Sequence, residues 1–369
     1  MSIETPRSRP TVSDREQKVL GIIETARGKR AKFRDERINM AHGAGGKATQ
    51  GLIEGLLVPA FGGESLGQLA DAGAITIGAA ELALTTDSYV VKPLRFPGGS
   101  IGELAVNGTA NDLAVSGAKP VAMSVSLILE EGLESGILKA EVHAIAAAAT
   151  VAGIEIVAGD TKVVERGHAD GMYICTTGIG QRDPRARLSP AALKPGDRIL
   201  LSGPIGAHGT AIMLARNEFE LDAEIESDTR PLWPAVDALL DAAGPELRCM
   251  RDATRGGVAS VLNELARASG VAMIVREAQV PVDPAVMGAA EILGIDPMYV
   301  ANEGQMVVFV AAEAAEMALA VLRQVPGCER AAEIGEVKTE PPGMVLVQTS
   351  FGGRRVMDQL VGDPLPRIC

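Results

Sequence analysis

Aromatic residues and cysteines are scarce in this chain of 369 residues. Aromatic side chains make up 3% of the sequence, so Ala, Val, Leu, Ile and Met must supply most of the core volume. The four cysteines, at positions 175, 249, 328 and 369, have no CxxC spacing. This spacing argues against a structural zinc site and against a disulfide framework. A reducing cytoplasm is therefore the expected location.

Positive charge and long apolar runs are also lacking. The 35 basic and 47 acidic residues give a net charge of −12, which argues against a generic binder of nucleic acid or of anionic membranes. No run approaches the roughly 20 apolar residues that a membrane-spanning helix needs, and no signal-peptide pattern is found. We expect neither nucleic acid nor a membrane among the partners.

The length favours two domains, and the composition changes along the chain. Residues 1–37 carry ten basic and six acidic side chains, and we interpret them as a mobile N-terminal extension. We predict an N-terminal domain at 38–183, a Pro-containing linker at 184–196, and a C-terminal α+β domain at 197–350. A C-terminal tail, 351–369, ends in Cys369.

The apolar pattern predicts strands and helices in both halves. The predicted strands are Ala74–Ile77, Glu81–Thr86, Val121–Leu129, Glu155–Ala158, Gly171–Gly180, Arg198–Ser202, Val271–Val275, Met306–Val310 and Val345–Gln348. The first predicted helix begins at Ile101, with Ser100 as its N-cap. The other predicted helices are Lys139–Ala152, Gly206–Arg216, Val258–Ala266 and Ala314–Val325.

A glycine-rich segment, His42–Lys47, is not a standard nucleotide-binding loop. Ala41 stands where a Walker A loop has its first Gly, and Ala48 stands where the dinucleotide-binding fingerprint has its last. What remains is a loop that ends in the cation of Lys47. Its backbone N–H groups can cover a polyphosphate, although a plain loop explains the pattern equally well.

Four aspartates share a setting beside predicted secondary structure. Asp87, Asp160 and Asp252 each follow a strand-like run, and Asp112 lies in a helical segment beside Asn111. Carboxylates that converge at strand ends repel one another unless a cation lies between them, and Mg²⁺ prefers carboxylate and phosphate oxygens. Any one of them can be a turn or helix cap, but the four together indicate a magnesium–nucleotide site.

Three more residues are candidates for a direct part in a reaction. Lys162 and Glu303 lie in loops near predicted strands, where each can also be an ordinary surface charge. Cys369 is a terminal thiol behind Pro364 and Pro366. A thiol at a chain end can enter another protein's active site, and its ordinary pKa, about 8.5, leaves some thiolate at neutral pH.

These pieces in this order resemble the HypE family of hydrogenase maturation factors, within the superfamily of aminoimidazole ribonucleotide synthetase and selenophosphate synthetase. The resemblance runs from about Ile38 to the C-terminus. The segments that carry it are HGAGGK, LTTDSYVVKPLRFPGGSIGELAVNGTANDLAVSGAKP, GDTKVVERG, RDATRGGVASVLNELA, ANEG and the terminal PRIC.

The resemblance implies an α/β N-terminal domain whose strands build a dimer barrel, a C-terminal α+β domain, and ATP in the cleft between them. Mg²⁺ is then handled by Asp87, Asp112, Asp160 and Asp252. The nucleotide is contacted by Gly43, Gly45, Gly46, Lys47, Asn111 and Thr161. Glu303 and Lys162 are the candidates for catalytic base and charge stabiliser, in either order.

The implied activity is that of a carbamoyl dehydratase. Cys369 is carbamoylated by a HypF-type partner, and the enzyme uses ATP to dehydrate this S-carboxamide to an S-thiocyanate. A HypC–HypD complex then receives the cyanide as an iron ligand for [NiFe]-hydrogenase. Residues 1–37 have no counterpart in the family core.

Two alternatives stay open at the level of sequence. One is another enzyme of the superfamily, of the selenophosphate synthetase or thiamine-phosphate kinase type. The first would need a reactive Cys or selenocysteine near the glycine-rich loop, and residues 38–50 contain none. The other alternative is a non-catalytic thiol carrier or adaptor that presents Cys369 to partners. The presence of all the acidic positions and of the GDTK segment speaks against it.

Overall fold

Two β-sheets of mixed strand direction form the framework of the chain. The computed structural model describes residue 33 and residues 35–62, 70–216 and 224–360. Most of the predicted extension, 1–37, and the end of the predicted tail with Cys369 lie outside the described residues.

The first sheet has five strands in the order β1-β2-β7-β5-β6. Its strands are β1 Gly73–Ile77, β2 Ala80–Tyr89, β5 Ala118–Glu130, β6 Glu155–Val164 and β7 Met172–Arg182; β3 Arg95–Phe96 and β4 Gly99–Ser100 form a separate two-stranded ladder. Strands β5 and β6 pair in parallel, and the other pairs of this sheet are antiparallel. Strand β6 is one edge of the sheet.

Within the described part of the chain, helices cover one face of this sheet and leave the other open. Helix α3, Ile101–Val115, is buried along almost its whole length, and α4, Ser135–Ala152, packs outside it. The predicted N-cap Ser100 precedes α3 without a side-chain cap bond; instead the buried Glu141 carboxylate accepts the N–H of Gly102 at 3.1 Å. A carboxylate is favourable at this positive end of a helix.

The second sheet has seven strands in the order β14-β13-β10-β12-β8-β11-β9. Its strands are β8 Arg198–Leu201, β9 Leu247–Asp252, β10 Ala272–Arg276, β11 Met306–Val310, β12 Ala332–Lys338, β13 Val345–Gln348 and β14 Arg354–Met357. The helices of this half are α5 Ala207–Ala215, α6 Trp233–Ala243, α7 Gly257–Ser269, α8 Pro284–Leu293 and α9 Ala315–Leu322. Strand β11 lies between β8 and β9, and every one of its residues is buried.

The glycine-rich segment leads into the first helices. A 3-10 turn, Met40–Gly43, precedes α1, Lys47–Leu52, which continues through a π turn, Ile53–Leu57, into α2, Val58–Phe61. His42 accepts the N–H of Asn39 and contacts Asp35, so it caps this turn.

Two predicted strand boundaries are wrong. Strand β2 continues past Thr86, so Asp87 lies within it, and β6 continues to Val164, so Asp160 is a mid-strand residue. The reason is that β2 and β6 keep pairing with β7 and β5 beyond the apolar runs. The predicted linker is docked, with Leu193 in the core of the second half. The predicted tail begins with a strand, β14.

Among the described residues, no helix is long and apolar enough to cross a membrane.

Candidate active site

Three aspartates meet where the two halves of the chain touch. Asp112 lies in α3, Asp252 ends β9, and Asp71 precedes β1. One carboxylate oxygen from each lies within 4.8 Å of the others. Thr85 of β2 fixes the arrangement because its hydroxyl lies 2.8 Å from the Asp112 carboxylate and 2.9 Å from the Asp71 carbonyl oxygen. A divalent cation that prefers oxygen ligands fits this donor set.

The electrostatics of this cluster favour a bound cation. Burial raises the pKa of Asp112 well above its ordinary value, and the charges of Asp252, Asp71 and Asp87 raise it further. Burial and Asp71 likewise raise the pKa of Asp252. Arg251 pairs with Asp71 and partly offsets the same effect there. Without a cation, these carboxyl groups therefore hold protons more tightly than ordinary ones.

Asp87 lies next to the cluster on the helix-covered face of β2. Its carboxylate accepts the N–H of Ser88 at 2.8 Å, and the Arg255 guanidinium lies 3.7 Å away. Its charge contributes to the raised pKa values of Asp112, Asp252 and Glu303. The structure thus brings together Asp87, Asp112 and Asp252, three of the four predicted metal ligands.

Glu303 lies in the loop before β11 and is 3% exposed. Burial is the largest cause of its strongly raised pKa, and the charges of Asp252, Asp87 and Asp228 add to it, against the opposing charge of Arg255. A buried carboxyl group with a raised pKa beside a cation site has the properties of a general base or acid.

The glycine-rich loop is docked on the start of α7. The Arg255 guanidinium donates to the Gly43 carbonyl at 2.8 Å. Gly45 has a φ of +75°, and an added Cβ there would lie 3.0 Å from the Arg255 carbonyl oxygen, so this close approach requires glycine. Gly46 precedes α1 as its N-cap. The loop therefore lies beside Arg255, which also faces Asp87.

Lys47 connects this loop to the last described residues. Its Nζ lies 2.9 Å from the Asp358 carboxylate, and its backbone N–H donates to the Leu360 carbonyl at 3.3 Å. The side chain is about half exposed. The cation predicted to cover phosphates is thus held near the point where the C-terminal segment leaves the described structure.

Asn111 joins the two halves. Its Nδ2 donates to the carbonyl oxygens of Arg230 and Glu303 at 3.0 and 3.2 Å, and its Oδ1 accepts the N–H of Leu232 at 2.8 Å. Both donors of the amide group are therefore engaged by the protein itself. Its predicted contact with nucleotide stays a prediction.

The GDTK residues are not brought to the cluster within one chain. Asp87, Thr176, Val125 and Gly159 form one row across the sheet, and Thr176 in that row contacts α3. The row spans three strand spacings, about 14 Å. Because side chains alternate along a strand, Asp160 projects from the opposite, open face.

On that open face the Lys162 ammonium lies 2.5 Å from the Asp160 carboxylate, and both side chains are mostly exposed. Hydrogen bonds from Lys162 and from the Thr161 N–H lower the pKa of Asp160. The predicted roles of Asp160, Thr161 and Lys162 therefore stay predictions.

Sequence reasoning missed two residues of the site. Asp71 lies outside the predicted helices and strands, so only its position in space marks it. Arg255 stands three residues after Asp252. Its guanidinium contacts both the Gly43 carbonyl and the Asp87 carboxylate, and these contacts are not visible in the sequence.

Comparison with known proteins identifies the family. The profiles of AIR synthase related protein match residues 69–181 for its N-terminal domain and residues 194–347 for its C-terminal domain. Carbamoyl dehydratase HypE of Cupriavidus necator is 47% identical over 350 residues, which cover 95% of this chain and 99% of that protein. The chain belongs to the HypE family of carbamoyl dehydratases. This confirms the resemblance drawn from the sequence.

Solved HypE structures agree with this assignment. HypE in a HypE–HypF complex is 43% identical with a TM-score of 0.80, covering 84% of this chain and 99% of that one. HypE in complex with ATP is 43% identical with a TM-score of 0.76, covering 90% and 100%. Thiamine monophosphate kinase of Aquifex aeolicus, at 19% identity, a TM-score of 0.61 and coverage of 83% and 96%, shares the fold alone. The predicted two-domain fold class is confirmed, and the kinase alternative is not favoured.

Proposed function

We propose that this chain dehydrates the S-carboxamide of its own Cys369 to an S-thiocyanate at the expense of ATP, within hydrogenase maturation. The observation that carries the proposal is the cluster of Asp71, Asp112 and Asp252 within 4.8 Å, with the buried Glu303 beside it. ATP as the substrate is supported by the ATP complex of a HypE at 43% identity.

The reaction needs activation because hydroxide is a poor leaving group from a carboxamide. Transfer of the γ-phosphoryl group to the carboxamide oxygen releases ADP and one N–H proton. Expulsion of phosphate with loss of the second N–H proton then leaves the S–C≡N group. The cationic side chains of Arg255 and Lys47, which flank the cluster and the glycine-rich loop, are suited to stabilise charge on the transferring phosphoryl group.

Asp71, Asp112 and Asp252, with Asp87 alongside, would hold Mg²⁺, which supplies charge neutralisation for the phosphate oxygens. The raised proton affinities of Asp112 and Asp252 fit this assignment because a dication there favours the ionised carboxylates. Glu303 accepts a carboxamide proton in the proposed reaction. Its burial excludes bulk water from the group that receives the proton.

A homodimer completes the proposal. The open face of the first sheet exposes apolar side chains, among them the cross-strand pair Leu84 and Ile179, 37% and 40% exposed, and Ile77, 64% exposed. An apolar sheet face of this kind is typical of an interface. We place a second copy of the chain on it, so that the strands of both copies form a barrel. Asp160, Thr161 and Lys162 on that face would then act in a site shared between copies.

The position of Leu360 supports delivery of Cys369 to an active site. Nine residues, 361–369, follow it in the sequence, and nine extended residues span about 30 Å. Leu360 itself is held by the N–H of Lys47 beside the glycine-rich loop. This length would let the terminal thiol reach any site within about 30 Å of Leu360, in its own chain or in a partner.

The partners follow from the chemistry and the family. A HypF-type carbamoyltransferase would load Cys369, in keeping with the HypE–HypF complex of a relative, and a HypC–HypD complex would receive the cyanide. We place these events in the cytoplasm, where a free terminal thiol stays reduced.

The test is mass spectrometry of the C-terminal peptide after carbamoylation, with and without ATP. We expect the carbamoylated peptide to lose one water only when ATP is present. A thiol carrier without catalytic activity would keep the carbamoyl group unchanged in both samples, and that result would refute the proposal.

A further inference from the structure

The backbone of Glu303 is held by a carboxylate that has no assigned role. Asp228 lies in an extended segment before α6, and its two carboxylate oxygens accept separate backbone N–H groups. Oδ1 accepts the N–H of Glu303 at 3.1 Å, and Oδ2 accepts the N–H of Gly304 at 3.2 Å. Hydrogen bonds to an ionised carboxylate are about twice as strong as those between neutral groups.

The other side of the same peptide is held as well. The Glu303 carbonyl accepts Asn111 Nδ2 at 3.2 Å. At the next residue, an added Cβ on Gly304 would lie 1.9 Å from the Asp228 carbonyl oxygen, so only glycine permits this approach. The loop that carries Glu303 is therefore fixed on both faces by groups from outside it.

The segment that carries Asp228 has its own anchors. The Ser227 N–H donates to the Pro97 carbonyl at 2.8 Å, and the Ser227 hydroxyl lies 2.8 Å from His208 Nδ1. Thr229 accepts Asn107 Nδ2 at 3.2 Å. These contacts involve the turn between β3 and β4, α3 and α5, so elements outside the Glu303 loop anchor the segment of Asp228.

We propose that Asp228 is a positioning residue, which holds the loop of Glu303 so that the Glu303 carboxylate meets the carboxamide proton. This inference rests on the proposed function, in which Glu303 is the base. Asp228 itself touches neither substrate nor nucleotide in this role. A displacement of the base by about 1 Å is enough to lower a rate by about 100-fold.

The central variant is Asp228→Asn, which keeps the shape but removes the charge and replaces one acceptor oxygen with an NH₂ group. In the full-length carbamoylated chain, we expect the single-turnover rate of thiocyanate formation to fall about 10- to 100-fold. The equilibrium affinity for ATP should change by less than about twofold, since a positioning defect lowers kcat without weakening ground-state binding. Asp237→Asn, which breaks only a surface pair with Arg185, is the matched control and should keep the normal rate.

A double-mutant cycle separates positioning from a general loss of structure. In the Glu303→Gln background, Asp228→Asn should lower the remaining rate by less than about twofold, because the group through which it acts is already gone. Multiplicative losses, or a normal rate in Asp228→Asn alone, would overturn the inference. A normal rate in Glu303→Gln alone would instead refute the base assignment in the proposed function.

A second variant and a direct probe keep the test decisive if Asp228→Asn does not fold. Asp228→Ser retains one small acceptor oxygen. Its rate of thiocyanate formation is measured alone and in the Glu303→Gln background, as for Asp228→Asn. Amide hydrogen exchange at Glu303 and Gly304 should accelerate in whichever variant folds, while exchange in the buried strand β11 stays unchanged. Unchanged exchange at both amides would show that Asp228 does not hold the loop.

Discussion

Replacing Asp252 with Asn should stabilise the chain without the metal–nucleotide complex and remove most of the stabilisation that this complex provides. Two ionised carboxylates within 4.8 Å repel each other by about 3 kcal/mol at an effective dielectric constant of about 20. The charges of Asp71 and Asp87 act on Asp252, Arg251 opposes part of this effect, and Asp252 in turn acts on Asp112. The variant removes this repulsion from the folded, metal-free protein.

The pH dependence of folding stability gives the direction of the change expected in Asp252→Asn. Burial and neighbouring charge raise the pKa of Asp252 in the folded state above its value in the unfolded chain, about 3.9. The folded state then binds the proton more tightly, so stability is full below pH 4 and declines as the pH rises through the raised pKa. Asp252→Asn should remove this decline, and its melting temperature in chelator at about pH 8 should exceed that of the wild type by roughly 5 °C.

Magnesium and ATP should remove most of this difference in stability. A ligand at 100 times its Kd stabilises the folded state by about 2.7 kcal/mol, and the variant should lose most of this gain because it has lost one of three carboxylates. Calorimetric melting of both proteins, with chelator and with magnesium–ATP, measures both effects. Equal ligand gains in the two proteins, or no rise of melting temperature in chelator, would refute the cation site.

Three further predictions concern the base, the thiol and the interface. Glu303→Gln keeps shape and hydrogen bonding but cannot accept the proton, so it should bind ATP by calorimetry yet form little thiocyanate; dehydration at the normal rate would exclude it as the base. Cys369→Ala should fold and bind ATP but accept no carbamoyl group. A chain with a short tag after Cys369 should retain the thiol yet lose most cyanide formation. Hydrogenase maturation in cells that carry Cys369→Ala would contradict the proposed reaction. Ile179→Asp should convert the proposed dimer to monomers in sedimentation and lower activity, whereas Val151→Asp on the outer surface of α4 should change neither; a dimeric Ile179→Asp variant would place the interface elsewhere.

The sequence predicted most strands of the framework because their apolar residues are continuous or alternate. The buried run Met306–Val310 became β11 with the predicted bounds, and Ala74–Ile77 became β1 with one more residue. Strands β12 and β14 escaped prediction because glutamate, glycine and arginine interrupt their apolar pattern. Their pairing with neighbouring strands, which is not local in sequence, decides their conformation.

The candidate site was only partly predictable. Asp112 and Asp252 meet as expected. Within a single copy of the chain, Asp160 lies away from them, because β6 continues beyond Ala158. In a strand, a shift of one residue moves a side chain to the other face. Asp71 and Asp228 were not predicted because their importance comes from contacts with residues distant in sequence, Asp112 and Glu303 among them.

The most direct test of the central claim is the mass of the C-terminal peptide of the carbamoylated full-length chain before and after addition of magnesium and ATP. The account predicts that the peptide ending in Cys369 loses the mass of one water in the wild type, and that Glu303→Gln retains the carbamoyl mass under the same conditions. Retention of the full carbamoyl mass by the wild type in the presence of ATP, or loss of water without ATP, would contradict it.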